Sequence, residues 1–295
     1  MLILDGKIVR DHMADALKRR IQNRASLPVL AIVQVGSRED SNAYITQKKL
    51  FAERIGAEVL HIQFPNEVGD EELAEKISQL NSDPDTHGII VQMPLPRHLH
   101  EGRLIDVVDY KKDVDGLTAT NIKLLVENKR DGFVPATAKG IISLLDYYKI
   151  PIEGKRAVVV GRSPSVGKPI ALALLNKNAT VTVAHSHSGD LPSLTQEADI
   201  LVVAVGRSGF IKKEYVRSGQ VVIDVGINTF SQAEILGKVK PENELPKREL
   251  VGDVDFESVK DIVAAITPVP GGVGPMTVAS LFENVVDAFE RKQLS

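Results

Sequence analysis

The chain has 295 residues, too many for one ordinary core and suited to two domains. Hydrophobic residues make up 43% and charged residues 25%, and the net charge is −3 with both signs interspersed, so the balance is that of a globular protein and no basic surface points to a nucleic-acid partner. Cysteine is absent, which excludes disulfides, thiolate catalysis and thiolate metal sites and fits a reducing cytoplasm. The opening "MLILDGKIVRDHM" turns polar at Asp5, so no secretory signal is expected. No apolar run approaches the roughly 20 residues that span a bilayer, so no membrane partner is expected.

Short β-rich runs alternate with helical patterns along the chain. "PVLAIVQVG" (28–36) is predicted as a buried strand, and "SNAYITQKK" (41–49) falls in the helix that follows, with Gly56 as its stop. At about 100° per residue, Tyr44, Lys48, Phe51 and Ile55 share the face a helix buries, whereas Lys49 falls on the solvent side. "AEVLHIQF" (57–64) alternates as a strand, and Asp70 is placed as the cap of a helix with Leu73, Ile77 and Leu80 on one side. "GIIVQMPLP" (88–96) is a strand stopped by its prolines. "KKDVDGLTATN" (111–121) is a loop, and little strand pattern follows as far as Pro135, which places a domain boundary there. A helix over about 137–149 leads into a second series of strands: "AVVVG" (157–161), "ATVTVAH" (179–185), "DILVVAVG" (199–206) and "QVVIDVG" (220–226). The last stretch sets Val278, Leu281, Phe282, Val285, Val286 and Phe289 at helical spacing, with Pro275 in the first turn. The alternation implies a mostly parallel sheet with helices on its faces.

After "AVVVG" comes "GRSPSVGKPIALALL", a glycine-bearing turn feeding a helix N-terminus, where backbone N–H groups and the helix dipole hold a pyrophosphate. The common fingerprint is G-x-G-x-x-G, and here Gly161 and Gly167 are present while Ser163 replaces the middle glycine. An ordinary strand–helix turn would show as much, but the strands that follow favour a dinucleotide site. The second strand of that series ends "VAHSHS" with no acid until Asp190, so the usual carboxylate for an NAD ribose is missing. Arg162 in the turn and Ser186 after the strand suit a 2′-phosphate instead, which points to NADP. His185 with His187 and His98 with His100 have an i, i+2 spacing but no third ligand at metal-like spacing, so no metal is expected.

The pair Tyr44 and Lys48 is also a Tyr-x-x-x-Lys, as in short-chain dehydrogenases. There the glycine turn comes first and the pair follows, whereas here the pair precedes Gly161, so that reading is set aside. The motifs "VGSREDSNAYITQKK", "IIVQMPLP", "KKDVDGLT", "VVVGRSPSVGKP", "VIDVGIN", "VGDVDF" and "ITPVPGGVGPMT" occur in this order over nearly the whole chain. In this the sequence resembles the bifunctional methylenetetrahydrofolate dehydrogenase/methenyltetrahydrofolate cyclohydrolases. "PATAKG" (135–140) departs from the family, which commonly has Cys and Pro at the positions of Ala136 and Ala138, while Thr137 and Gly140 are kept.

The resemblance implies an α/β protein of two domains. An N-terminal α/β catalytic domain (1–120 and 270–295) would bind folate. A connecting segment (121–135) would lead to a Rossmann-like NADP-binding domain with a parallel sheet (136–269), and the C-terminal helix would return to the first domain. It implies hydride transfer from methylenetetrahydrofolate to NADP⁺, then hydrolysis of the methenyl cation to 10-formyltetrahydrofolate, a one-carbon donor for purine biosynthesis. Folate would lie in the cleft between the domains, and the protein would be a cytoplasmic homodimer. Lys48 would take the proton of the attacking water; burial in an apolar stripe disfavours its charged form, which suits that role. Tyr44 would stack on the folate and position Lys48. Gln92, flanked by Val91 and Met93 at a strand end, would hydrogen-bond the lysine. Asp115 would grip the pterin through paired hydrogen bonds, with Asp113 as a turn residue beside it. Pro270, Gly271, Gly272, Val273 and Gly274 would bring backbone close to a planar ligand. Gly161, Arg162, Ser163, Val166, Gly167, Ser186 and Ile227 would contact NADP. A dehydrogenase lacking the cyclohydrolase step is the first alternative, and intact Tyr44, Lys48 and Gln92 argue against it. A non-catalytic dinucleotide sensor is the second, and it would not need a lysine beside a pterin-gripping aspartate.

Overall fold

A computed structural model describes residues 1–231 and 248–293. The part of the expected dinucleotide-binding domain at 232–247, and the last two residues of the chain, lie outside the described residues. Two compact units form: 10–140 with 277–295, and 1–9 with 141–276.

The unit built on 10–140 holds a three-stranded parallel sheet in the order β3-β2-β4, from β2 (Val29–Val35), β3 (Glu58–Phe64) and β4 (Gly88–Val91). The period-2 pattern of β2 divides its side chains between two cores. Leu30 and Ile32 enter one core with Ile45, Phe51 and Ile55 of α2 (Glu39–Ile55). Ala31, Val33 and Val35 enter the other with Leu73, Ile77 and Leu80 of α3 (Asp70–Ser82). The long helix Val273–Gln293 completes the first core from Thr277 onward, burying Val278, Leu281, Phe282, Val285, Val286 and Phe289, as the helical spacing predicts.

The unit built on 141–276 carries a six-stranded, wholly parallel sheet in the order β1-β11-β8-β7-β5-β6. Its strands are β1 (Leu2–Ile3), β5 (Arg156–Val160), β6 (Thr180–Ala184), β7 (Ile200–Val203), β8 (Val221–Asp224) and β11 (Ala265–Ile266). The strand order reverses at β5, with β6 added on one side and β7 on the other, the kind of switch point where open α/β sheets bind ligands. A separate antiparallel pair, β9 (Asn228–Ser231) with β10 (Arg248–Val251), leaves this sheet. Among the described residues no helix is long and apolar enough to cross a membrane.

Several elements differ from the sequence expectation. Residues 1–9 and 270–276, expected with the first domain, group with 141–276, because β1 pairs β11 and Gly6 N–H donates to the Gly271 carbonyl at 2.9 Å. Asp70 is not the cap of α3; Gly69 occupies that position without a side-chain bond. The Asp70 carboxylate instead accepts the backbone N–H of His100 and pairs with its ring Nδ1, tying two loop ends together. The segment 119–126 is a helix, α5 (Ala119–Val126), capped by the Thr118 hydroxyl on the Asn121 N–H. Its length of eight residues is too short for a clear apolar period.

Phe282 is fully buried, with its ring centroid 5.4 Å from that of Phe51. Phe282→Ala is expected to lower the unfolding free energy by about 3–5 kcal/mol. Urea unfolding followed by circular dichroism checks this, and a loss near zero would contradict the central place given to this pair.

Candidate active site

The geometry at Lys48 follows from α2 lying over the carboxyl end of the small sheet. Gly56 terminates α2 in the left-handed conformation (φ 85°), with its N–H on the Ala52 and Glu53 carbonyls, as the sequence pattern predicts. Phe51 and Ile55 are buried, Lys48 and Tyr44 are half-buried one and two turns before Phe51, and Lys49 is exposed. The apolar stripe therefore runs out of the core toward its edge, carrying a lysine with it.

Lys48 Nζ donates to Gln92 Oε1 at 2.8 Å. Gln92 directly follows β4, and its backbone N–H extends the ladder to the Val33 carbonyl at 2.8 Å. Its own Nε2 donates to the Met93 carbonyl at 2.9 Å, so the amide can present only its oxygen to the lysine. Val91 is buried in the sheet, and Met93 is half-buried ahead of Pro94.

Loss of hydration pulls the Lys48 pKa down to about 8, and the nearby Asp115 carboxylate partly offsets the change. Asp115 moves the opposite way, up to about 6. Burial is the main cause, Asp113 adds to it, and Lys48 opposes it. Tyr44 is likewise raised, by burial first and by Asp40 second. The neighbouring aspartates have different tasks. Asp113 is buried and accepts from the Gly116 N–H (2.9 Å), the Thr118 N–H (2.7 Å) and Asn121 Nδ2 (2.8 Å), so it builds the turn. The Asp115 carboxylate has no hydrogen-bond partner among the described residues. It remains available to a ligand with two adjacent donors.

In the other unit, Gly161 follows β5 with φ +125°, and a side chain there would put its Cβ 2.2 Å from the Ala204 carbonyl oxygen. Gly167 opens α7 (Gly167–Asn176), and a Cβ there would lie 2.3 Å from the Gly161 oxygen. Both glycines are demanded by close backbone approach. Ser163, in place of the usual middle glycine, accepts the Gly167 N–H on its hydroxyl at 3.2 Å and so braces the turn. Val166 immediately precedes α7 and makes no side-chain cap.

Val160 pairs with Ala184, so Arg162 and Ser186, each two residues further on, emerge at one edge of the sheet. Both are exposed, and neither side chain has a hydrogen bond within the described residues. A helix N-terminus, a tight glycine turn and an uncommitted arginine beside a hydroxyl fit the phosphates of NADP. Ile227 is exposed beyond the end of β8. In the turn before the last helix, the Gly272 N–H bonds the Pro268 carbonyl at 2.7 Å; Pro270 is exposed, Val273 is buried, and Gly274 lies near Ile227.

Two acids not singled out in the sequence organise the loops of this unit. Asp253 accepts from the backbone N–H groups of Val205, Gly206 and Arg207 at 2.7–2.9 Å and from Asn228 Nδ2 at 2.9 Å. Asp224 accepts from the N–H groups of Gly226, Asp253 and Val254, each at 2.9 Å, and burial pushes it up to about 6. The available signal was an acid beside glycine in "VIDVGIN" and "VGDVDF". Among the described residues no cluster of three or more His, Cys, Asp or Glu is arranged to hold a metal.

These features define a two-domain α/β dehydrogenase whose nucleotide-binding unit is Rossmann-like. Residues 4–115 match the model of the tetrahydrofolate dehydrogenase/cyclohydrolase catalytic domain, and residues 135–293 match that of the family's NAD(P)-binding domain. The chain belongs to the tetrahydrofolate dehydrogenase/cyclohydrolase family. It is 43% identical over 293 residues to the bifunctional protein FolD of Acholeplasma laidlawii, covering 99% of each chain. Its fold is similar to the crystal structure of the bifunctional FolD methylenetetrahydrofolate dehydrogenase/cyclohydrolase of Campylobacter jejuni, with TM-score 0.90, 37% identity and 99% of each chain covered. It is also similar to the Trypanosoma brucei FolD complexed with NADP cofactor and inhibitor, with TM-score 0.92, 33% identity and 100% and 99% of the two chains covered.

In a titration of ¹³C-methylated lysines by NMR, one resonance is expected near pH 8 and should be missing from Lys48→Met. Asp115→Asn should move that midpoint further down, because the offsetting negative charge is gone. A midpoint unmoved by Asp115→Asn would contradict the coupling of these two groups.

Proposed function

We propose that this chain is a bifunctional one-carbon folate enzyme. It oxidises 5,10-methylenetetrahydrofolate to 5,10-methenyltetrahydrofolate with NADP⁺ and hydrolyses the product to 10-formyltetrahydrofolate. The observation that carries the reading is the half-buried Lys48 amine, held by the Gln92 carbonyl oxygen at 2.8 Å and depressed to a pKa of about 8. An amine that near neutrality can hold a proton or release it at working pH, which a hydrolytic general base requires. An arginine there would carry a permanent positive charge beside the methenyl cation.

When bound, NADP⁺ accepts a hydride at its nicotinamide ring. Gly161, Arg162, Ser163, Val166, Gly167, Ser186 and Ile227 would hold that cofactor, with Arg162 and Ser186 serving its 2′-phosphate. Asp115 accepts paired hydrogen bonds from the pterin ring with both carboxylate oxygens free for them. Tyr44 offers a half-buried ring on which the folate stacks. Lys48 takes the proton of the water that attacks the methenyl carbon, and Gln92 orients the amine while it does so. Val91 and Met93 flank that glutamine, and Pro270, Gly271, Gly272, Val273 and Gly274 supply backbone contacts to a planar ligand. Folate binding and hydrolysis belong to the unit built on 10–140, and cofactor binding to the unit built on 141–276. The family resemblance supports a cytoplasmic homodimer supplying purine biosynthesis, and the lack of cysteine fits a reducing compartment.

Lys48→Met is expected to abolish methenyl hydrolysis, followed spectrophotometrically as methenyl decay. In the parent enzyme hydrolysis should rise with pH through about 8, because only the deprotonated amine accepts the proton. A Lys48→Met enzyme with normal hydrolysis would overturn the assignment. Arg162→Ala should reduce the preference for NADP over NAD, and an unchanged ratio of kcat/KM for the two cofactors would move the 2′-phosphate site elsewhere.

A further inference from the structure

We propose that His61 is a positioning residue for this reaction, holding through Gln34 and Asn42 the helix that carries Tyr44 and Lys48. The inference rests on the assignment of Lys48 to hydrolysis.

Gln34 lies in the hydrophobic strand β2, on the same face as Leu30 and Ile32, and is 1% exposed. A buried amide must find partners on both its ends. Gln34 Nε2 donates to Asn42 Oδ1 at 2.8 Å, and Gln34 Oε1 meets His61 Nε2 at 2.7 Å. His61 Nδ1 lies 3.1 Å from Lys49 Nζ, and Asn42 Nδ2 reaches Ser37 Oγ at 3.0 Å.

The ammonium of Lys49 can only donate, so it sets the direction of the whole chain. His61 Nδ1 accepts from Lys49. Nε2 therefore carries the hydrogen and donates to Gln34, Gln34 donates to Asn42, and Asn42 donates to Ser37. The four bonds point one way, the arrangement in which each polarises the next. Asn42 and Lys49 are seven residues apart, on one face of α2 and two turns from each other. The sheet thus grips α2 at two points, and Tyr44 and Lys48 lie in the stretch between them. Nothing in the Lys48–Gln92 contact supplies that second hold.

The chain requires a neutral imidazole. Protonation of His61 would remove the acceptor at Nδ1 and put a second cation 3.1 Å from Lys49. Lys49 of α2 is the charged group facing the ring; β2 offers the uncharged Gln34, and the β3 residues on the same face as His61, Val59 and Gln63, are uncharged. Burial first, and Lys49 second, hold the imidazole pKa below its usual 6.5. The grip on α2 is therefore complete at neutral pH and is lost as pH falls through that lowered value.

The test uses the full chain as His61→Leu and His61→Gln. A glutamine at 61 can donate to Gln34 and accept from Lys49 without titrating. Amide hydrogen exchange across 39–55 and the pH profile of kcat for methenyl hydrolysis are measured for both, with NADPH binding as the control. His61→Leu should speed exchange in α2 and lower kcat about fivefold at neutral pH, the effect of one lost hydrogen bond, with KM for folate little changed. His61→Gln should keep exchange and kcat near the parent and remove the His61 limb from the acid side of the profile. Parent-like exchange and pH profile in His61→Leu, or a His61→Gln as defective as His61→Leu, would overturn the proposal. Retained hydrolysis in Lys48→Met would defeat the reading of the site, whereas exchange in α2 decides the grip on the helix independently.

Discussion

The protein depends on placing an amine where water cannot fully solvate it. Lys48 loses hydration at the edge of a hydrophobic core, which would ordinarily drive it to the neutral form. One amide oxygen, Gln92 Oε1, and one carboxylate, Asp115, bring it back toward charge, and the balance falls near neutrality. Each partner arrives from a different element: the lysine from a helix, the glutamine from a strand end, the aspartate from a loop. The balance exists only if sheet, helix and loop hold their places, so the packing beneath α2 helps set the charge of the amine.

Parallel sheets end their ladders at the carboxyl edge, where backbone groups need new partners and ligands find them. In both units the candidate site lies at that edge. In one, Gln92 adds a last ladder bond and then turns its side chain to Lys48. In the other, Gly161 and Gly167 let the chain pass within contact of backbone that no side chain could approach.

Four aspartates at these edges show how donors decide the role of a carboxylate. Asp113, Asp224 and Asp253 each accept three or four N–H bonds and hold loops in place. Asp115, two residues from Asp113, meets no such donors among the described residues. The same residue type in "DVDG" finds two environments because the turn directs only one carboxylate onto its own backbone.

The α/β class, the parallel strands, the buried face of α2 and the core residues of the last helix were legible in the sequence. They rest on local periodicity, which repeats every two or 3.6 residues and needs no distant partner. The separation of Lys48 from Lys49 was legible for the same reason. The order of motifs also identified the family before any contact was known. Tertiary structure alone decided what depends on residues far apart in the chain. It set β1 beside β11, turned the Gln92 oxygen toward Lys48, gave Asp253 its four donors and linked Gln34 to His61. Hydrogen bonds and desolvation act over a few ångströms of space, and no spacing along the sequence reports which groups will meet there.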